Sequence, residues 1–83
     1  MKFYKFYADW CGPCKVLETN LRRAGVENYE AINVDENEEL VAQYGIRNIP
    51  VFIAESEGGT ELGRFVGIKS PDGIKQWIDS LNG

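Results

Sequence analysis

Both cysteines of this chain lie within one five-residue stretch, Trp10-Cys11-Gly12-Pro13-Cys14, directly after an apolar, strand-like run. That stretch asks for a corner, with a strand ending and a helix beginning where the sulfurs sit. Two sulfurs that trade a disulfide must come within bonding reach, and a Cys-x-x-Cys pair on a first helical turn does so. A helix start also offers exposed N–H groups and partial positive charge, which favour thiolate over thiol. With no histidine and no third cysteine in the chain, reversible disulfide chemistry is the use that fits best. A structural zinc site normally takes four Cys or His ligands, so here it would need a second copy of the chain or an added thiol such as glutathione. A purely structural crosslink closing so short a loop removes little unfolded-state entropy. Two unrelated buried cysteines would leave the intervening Gly-Pro and the preceding Trp unexplained.

The 83 residues make one small domain, residues 1–83, able to bury a single modest core. Apolar residues at 43% and charged residues at 27% are an ordinary globular balance. Thirteen acids against nine bases give a net charge of −4, which argues against a nucleic-acid partner, because phosphate binding draws on clustered Lys and Arg. Arg22 and Arg23 are only a pair, read as the solvated end of a helix. No stretch approaches the length that spans a bilayer, so no membrane partner is expected. Met1-Lys2-Phe3-Tyr4-Lys5 lacks the long apolar segment and small-residue cleavage site of a signal peptide. The expected location is therefore intracellular, in the cytoplasm, where a dithiol can be kept reduced.

Along the chain, Phe3 to Ala8 reads as a strand. The helix that begins at the cysteines carries Cys14, Leu17, Leu21 and Ala24 at helical spacing and stops at Gly25, with Pro13 in its first turn. Tyr29 to Val34 reads as a second strand. Asp35 to Gly45 opens with acids and closes with Gly, as a short helix should. Val51 to Ala54 follows Pro50 as a third strand. Gly58-Gly59 marks a hairpin, and Glu61 to Val66 returns antiparallel as a fourth. Ser70 caps the last helix and Pro71 opens it, with Ile74, Trp77, Ile78 and Leu81 as one apolar stripe. The order is β-α-β-α-β-β-α, an α/β class.

Trp10-Cys11-Gly12-Pro13-Cys14-Lys15 resembles the active site of thioredoxins. The resemblance continues in register through Asn33-Val34-Asp35, Tyr44-Gly45-Ile46-Arg47-Asn48-Ile49-Pro50 and Val66-Gly67, covering nearly the whole chain. It implies a thioredoxin-like fold, with a four-stranded mixed sheet flanked by three helices. Only ten residues precede Cys11, so the family's opening strand and helix are expected to be missing, giving a member of glutaredoxin size. The resemblance implies that Cys11 is the exposed nucleophile and Cys14 the resolving thiol. It makes Pro50 a cis-proline that lies against the disulfide and offers backbone to a substrate strand. Trp10, Gly12, Pro13, Ile49, Val66 and Gly67 become a client-binding surface, with Val34 beside them. No bound cofactor is implied beyond a redox-active Cys11–Cys14 disulfide, and no metal. The implied partners are disulfide-containing client proteins and an electron donor, either thioredoxin reductase or glutathione, acting on a monomer.

The chain departs from the family at one informative place. Thioredoxins usually carry a buried Asp six residues before the first cysteine, often paired with a Lys on the neighbouring strand. Here those positions hold Lys5 and Ala31. Lys5 could snorkel to water, act as a neutral base, or stay charged and lower the sulfurs' pKa, and the last makes it a candidate for tuning the site. Tyr7 replaces a second Trp, and Thr19 replaces a helix-kinking Pro, which predicts a straighter helix. The expected function is a protein-disulfide reductase, because Gly-Pro between the cysteines resembles the reducing members. Two other readings stay open. One is a glutaredoxin-like enzyme reset by glutathione, although the paired Gly usual before the last helix is absent. The other is a non-catalytic subunit that docks through the apolar patch.

Overall fold

The structure, a computed structural model, describes residues 1–82. Strand β1 (Lys2–Tyr7) leads into helix α1 (Gly12–Arg23), which returns the chain to strand β2 (Glu30–Asn33). Because a helix intervenes, β2 lies parallel to β1, with Lys5 opposite Ala31. A 3-10 turn (Val34–Glu36) and helix α2 (Glu38–Tyr44) precede the hairpin of β3 (Val51–Glu55) and β4 (Glu61–Val66), and helix α3 (Pro71–Asn82) closes the described chain. The sheet order is β2-β1-β3-β4, antiparallel in both β1–β3 and β3–β4 pairs. The expected element order and mixed sheet are both found. No helix among the described residues is long and apolar enough to cross a membrane.

The alternation of side chains along each strand divides the core into two layers. On one face Phe52 packs with Leu17 and Leu21 of α1 and Ile74 of α3, and Phe3, Tyr29, Phe65 and Trp77 close around it. Its ring stacks on Phe3 at 5.4 Å between centroids and meets Trp77 edge-on at 5.9 Å. On the other face Phe6, Ile32, Val51 and Ile53 receive Leu40 and Tyr44 of α2. Every residue of β3 is buried, as a central strand covered by helices on both sides requires.

Helix α1 ends as its sequence dictates. Gly25 takes φ 79°, open to glycine at little cost. Its N–H then reaches Arg22 O at 3.0 Å while that of Val26 reaches Leu21 O at 2.9 Å, closing the last carbonyls. The helix runs unbroken through Thr19, whose hydroxyl donates to Lys15 O at 3.3 Å.

The segment expected as one helix from Asp35 to Gly45 is instead two pieces. The Asn33 side chain accepts the Asp35 N–H at 2.9 Å, and Asn37 Nδ2 donates to Asn33 O at 2.9 Å. That local capture tightens the chain into a 3-10 turn, so α2 begins only after Asn37.

A polar clamp holds α2 to the sheet. Buried Glu55 accepts the Tyr44 hydroxyl at 2.6 Å, and Arg64 Nη1 donates to Tyr44 O at 2.9 Å. The bond to Glu55, with burial and the carboxylate's charge, pushes the Tyr44 pKa up to about 12. Burial and Glu55 raise that of Tyr4 as well.

Phe52→Ala is expected to cost about 3–5 kcal/mol, read as a lowered urea midpoint. A tyrosine with a raised folded-state pKa gives full stabilisation below its unfolded value, and loses it as pH climbs through the folded one. Unfolding midpoints should therefore fall from about pH 10 toward about pH 12, and Tyr44→Phe should make that fall shallower.

Candidate active site

The turn after β1 carries the chain to α1 in four residues, Ala8 to Cys11. Cys11 caps the helix: its backbone is extended, its N–H donates to Ala8 O at 3.2 Å, and its Sγ accepts the Cys14 N–H at 3.1 Å. Pro13, in the first turn, has no N–H to leave unpaired. The spacing then brings Cys14 over Cys11, with Cα atoms 5.3 Å apart and the sulfurs joined as a disulfide. A helix-end N–H aimed at Cys11 sulfur is the arrangement that favours negative charge there once the bond opens.

Exposure does not separate the two cysteines as expected. Cys11 is 4% exposed and Cys14 3%, because Ala8, Tyr7, Val34 and Ile49 pack around both in the disulfide state. What distinguishes Cys11 is its place at the helix cap, not openness to solvent.

The Ile49–Pro50 peptide bond is cis. Pro50 is fully buried, and its carbonyl accepts the Gly67 N–H at 2.8 Å. Gly67 does so with φ 89°, and the β3–β4 register places Val66 opposite Val51 beside this bond. Trp10 is 71% exposed and Val66 58%, while Gly12 and Pro13 lie at the surface of the same corner. A groove of about 260 Å³ is lined by Trp10, Val34, Val41, Ile46, Arg47 and Ile49.

Of the three readings open for Lys5, the structure removes snorkelling. Lys5 lies on β1, an interior strand, and is 4% exposed, so it does not snorkel to water. Its Nζ stands 3.6 Å from Glu18 Oε2, donates to the Tyr29 hydroxyl at 3.4 Å, and faces the rings of Tyr7 and Tyr29. The cavity it lines is walled by Cys14 and not by Cys11.

Three participants escaped the sequence reading. Asp35 Oδ2 accepts the Trp10 indole N–H at 2.9 Å and fixes the ring beside the groove. Nothing local signals that bond, which spans 25 residues. Arg47 lines the groove, within a stretch whose family resemblance assigns it no role. Glu18 could have been found, since residues four apart on a helix share a face and Cys14 lies four before it.

The thioredoxin family model matches residues 3–80. The chain belongs to the thioredoxin family. Thioredoxin-T of Drosophila melanogaster is 40% identical over 70 residues, which cover 78% of this chain and 44% of that protein. A thioredoxin of Chlamydia caviae is 35% identical over 78 residues, covering 89% of this chain and 76% of its own. The chain thus spans under half of the first relative and about three quarters of the second. Among solved structures, a single-site variant of Halobacterium salinarum thioredoxin superposes with a TM-score of 0.83 at 33% identity. That match covers 98% of this chain and 74% of the other.

The backbone at Gly67 yields a test. A left-handed alanine costs roughly 1–2 kcal/mol, so Gly67→Ala should lower the urea midpoint. Gly12→Ala, whose added Cβ meets nothing within 4 Å, should stay within about 0.5 kcal/mol of the parent.

Proposed function

We propose that this chain is a protein thiol–disulfide oxidoreductase working as a reductase, with residues 1–83 as a single catalytic domain. The observation that carries the reading is the Cys11–Cys14 disulfide at the head of α1, with Cys11 Sγ taking the Cys14 N–H. In the reduced form the Cys11 thiolate attacks one sulfur of a client disulfide. The client's other sulfur leaves and takes a proton, and a Cys11–client mixed disulfide remains. The Cys14 thiolate then attacks Cys11 Sγ and expels the client's second sulfur. The client has gained two electrons and the protein has lost them to its own disulfide.

Trp10, Gly12, Pro13, Ile49, Pro50, Val66 and Gly67 form the proposed client surface. Exposed apolar side chains at Trp10 and Val66, and the groove that Trp10 and Ile49 line, support it. Pro50, whose carbonyl accepts the Gly67 N–H and keeps a second lone pair, is the proposed backbone contact for a client strand. Lys5 is the proposed tuning residue, acting on Cys14, whose cavity it shares. We assign the chain to the cytoplasm as a monomer, with no nucleic-acid or membrane partner and no bound cofactor. Thioredoxin reductase is the proposed electron donor, supported by membership of the thioredoxin family. Gly-Pro between the cysteines supports the reducing direction.

The reduced protein should precipitate insulin by cleaving its disulfides, and Cys11→Ser should abolish this. Cys14→Ser should stall mixed disulfides on Cys11, seen as adducts that dithiothreitol releases. Turnover should follow NADPH oxidation with thioredoxin reductase. Turnover with glutathione and its reductase alone would favour the glutaredoxin-like donor instead. A chain unable to cleave insulin, or alkylated at Cys14 before Cys11, would not be this enzyme.

A further inference from the structure

Lys5 and Glu18 meet at the wall of a cavity of about 270 Å³ between β1 and α1. Its lining includes Lys5, Tyr7 and Asp9 from β1 and the turn after it, and Cys14, Lys15 and Glu18 from α1. The Lys5 side chain is 5% exposed and that of Glu18 49%. A buried ammonium needs a partner to offset its lost hydration, and Glu18 Oε2 at 3.6 Å is the carboxylate placed to supply one. The Tyr29 hydroxyl at 3.4 Å and the rings of Tyr7 and Tyr29, at 5.3 and 5.0 Å, complete the ammonium's surroundings. Glu18 Oε1 is also 3.7 Å from Arg22 Nη2.

We propose that Glu18 sets the redox poise of the Cys11–Cys14 pair by neutralising the buried Lys5 ammonium that shares a cavity with Cys14. The inference rests on the oxidoreductase reading and names a residue that controls it. When the disulfide opens, Cys14 faces this cavity. An uncompensated ammonium there would attract its thiolate, stabilise the reduced form and make the protein more oxidising. A carboxylate one helical turn along opposes both effects, by pairing with Lys5 and by its own charge. Glu18 is therefore a positioning residue for charge and touches no reacting sulfur. The pair keeps a cation beside the resolving thiol without committing the protein to an oxidant's potential, which fits a reductase.

The test is equilibration with the glutathione couple. Two glutathione thiols give their electrons and hydrogens to the Cys11–Cys14 bond, leaving two protein thiols and one glutathione disulfide. Glu18→Gln should lower the Cys14 thiol pKa and shift this equilibrium toward reduced protein by about threefold. Lys5→Met should shift it the other way, and in that background the Glu18→Gln effect should fall to half or less. Lys5→Gln, which keeps a polar end for Tyr29, serves as the second background if Lys5→Met does not fold. Asp9→Asn, which removes a carboxylate from the same cavity but not from Lys5, should move the equilibrium less than Glu18→Gln does. A Glu18→Gln shift that is absent, reversed, or equal in both Lys5 backgrounds overturns the proposal, as does an equal shift from Asp9→Asn. Wild-type protein inert toward insulin defeats the oxidoreductase reading and this inference with it. An active wild type whose equilibrium ignores Glu18 defeats the inference alone.

Discussion

Helix α1 has to begin at Cys11, and the rest of the molecule is arranged around that start. The Cys11 sulfur accepts the Cys14 N–H at 3.1 Å, so one atom both caps the helix and waits where the helix dipole is most positive. The cap works only if β1 delivers the chain to that point at a fixed angle. Delivery depends on Phe6 and Lys5 being buried in an interior strand, with Leu17 and Leu21 pressing α1 onto the sheet face where Phe52 is centred. Core packing and sulfur chemistry are thus coupled through a few residues of chain.

The second support comes from the far side of the sequence. The β3–β4 pairing sets Val51 opposite Val66, and just beyond it the left-handed Gly67 donates its N–H to the Pro50 carbonyl at 2.8 Å. Ile49 and Val34 then close over the cysteines. The burial that results is nearly equal for the two cysteine residues. Their electrostatic surroundings differ: the Cys14 N–H points at Cys11 Sγ, and Lys5 and Glu18 line a cavity with Cys14 and not Cys11.

Much of the fold was legible because its signals are local. Cys14, Leu17 and Leu21 are buried at the helical spacing read for them, and Gly25 stops the helix by the backbone geometry only glycine adopts cheaply. Ser70 Oγ accepts the Gly73 N–H at 3.0 Å, as its place before Pro71 suggested. The reading failed where a side chain competed with the backbone. Asn33 took the Asp35 N–H and split one expected helix into a turn and a helix. Nothing in the acids of that segment signals a bond made by Asn33, two residues before Asp35.

The site divides along the same line. Sequence alone determined the redox centre, because two cysteines at helical spacing behind a strand leave little else for the sulfurs to do. Register with a known pattern also singled out Pro50 and Gly67, which a backbone hydrogen bond joins. Only the tertiary structure decided that Lys5 is enclosed and paired with Glu18, and that Asp35 holds Trp10. The physical reason is reach. Caps, turns and helical faces are set within a few residues, but burial of a charge depends on which distant strand and helix close over it.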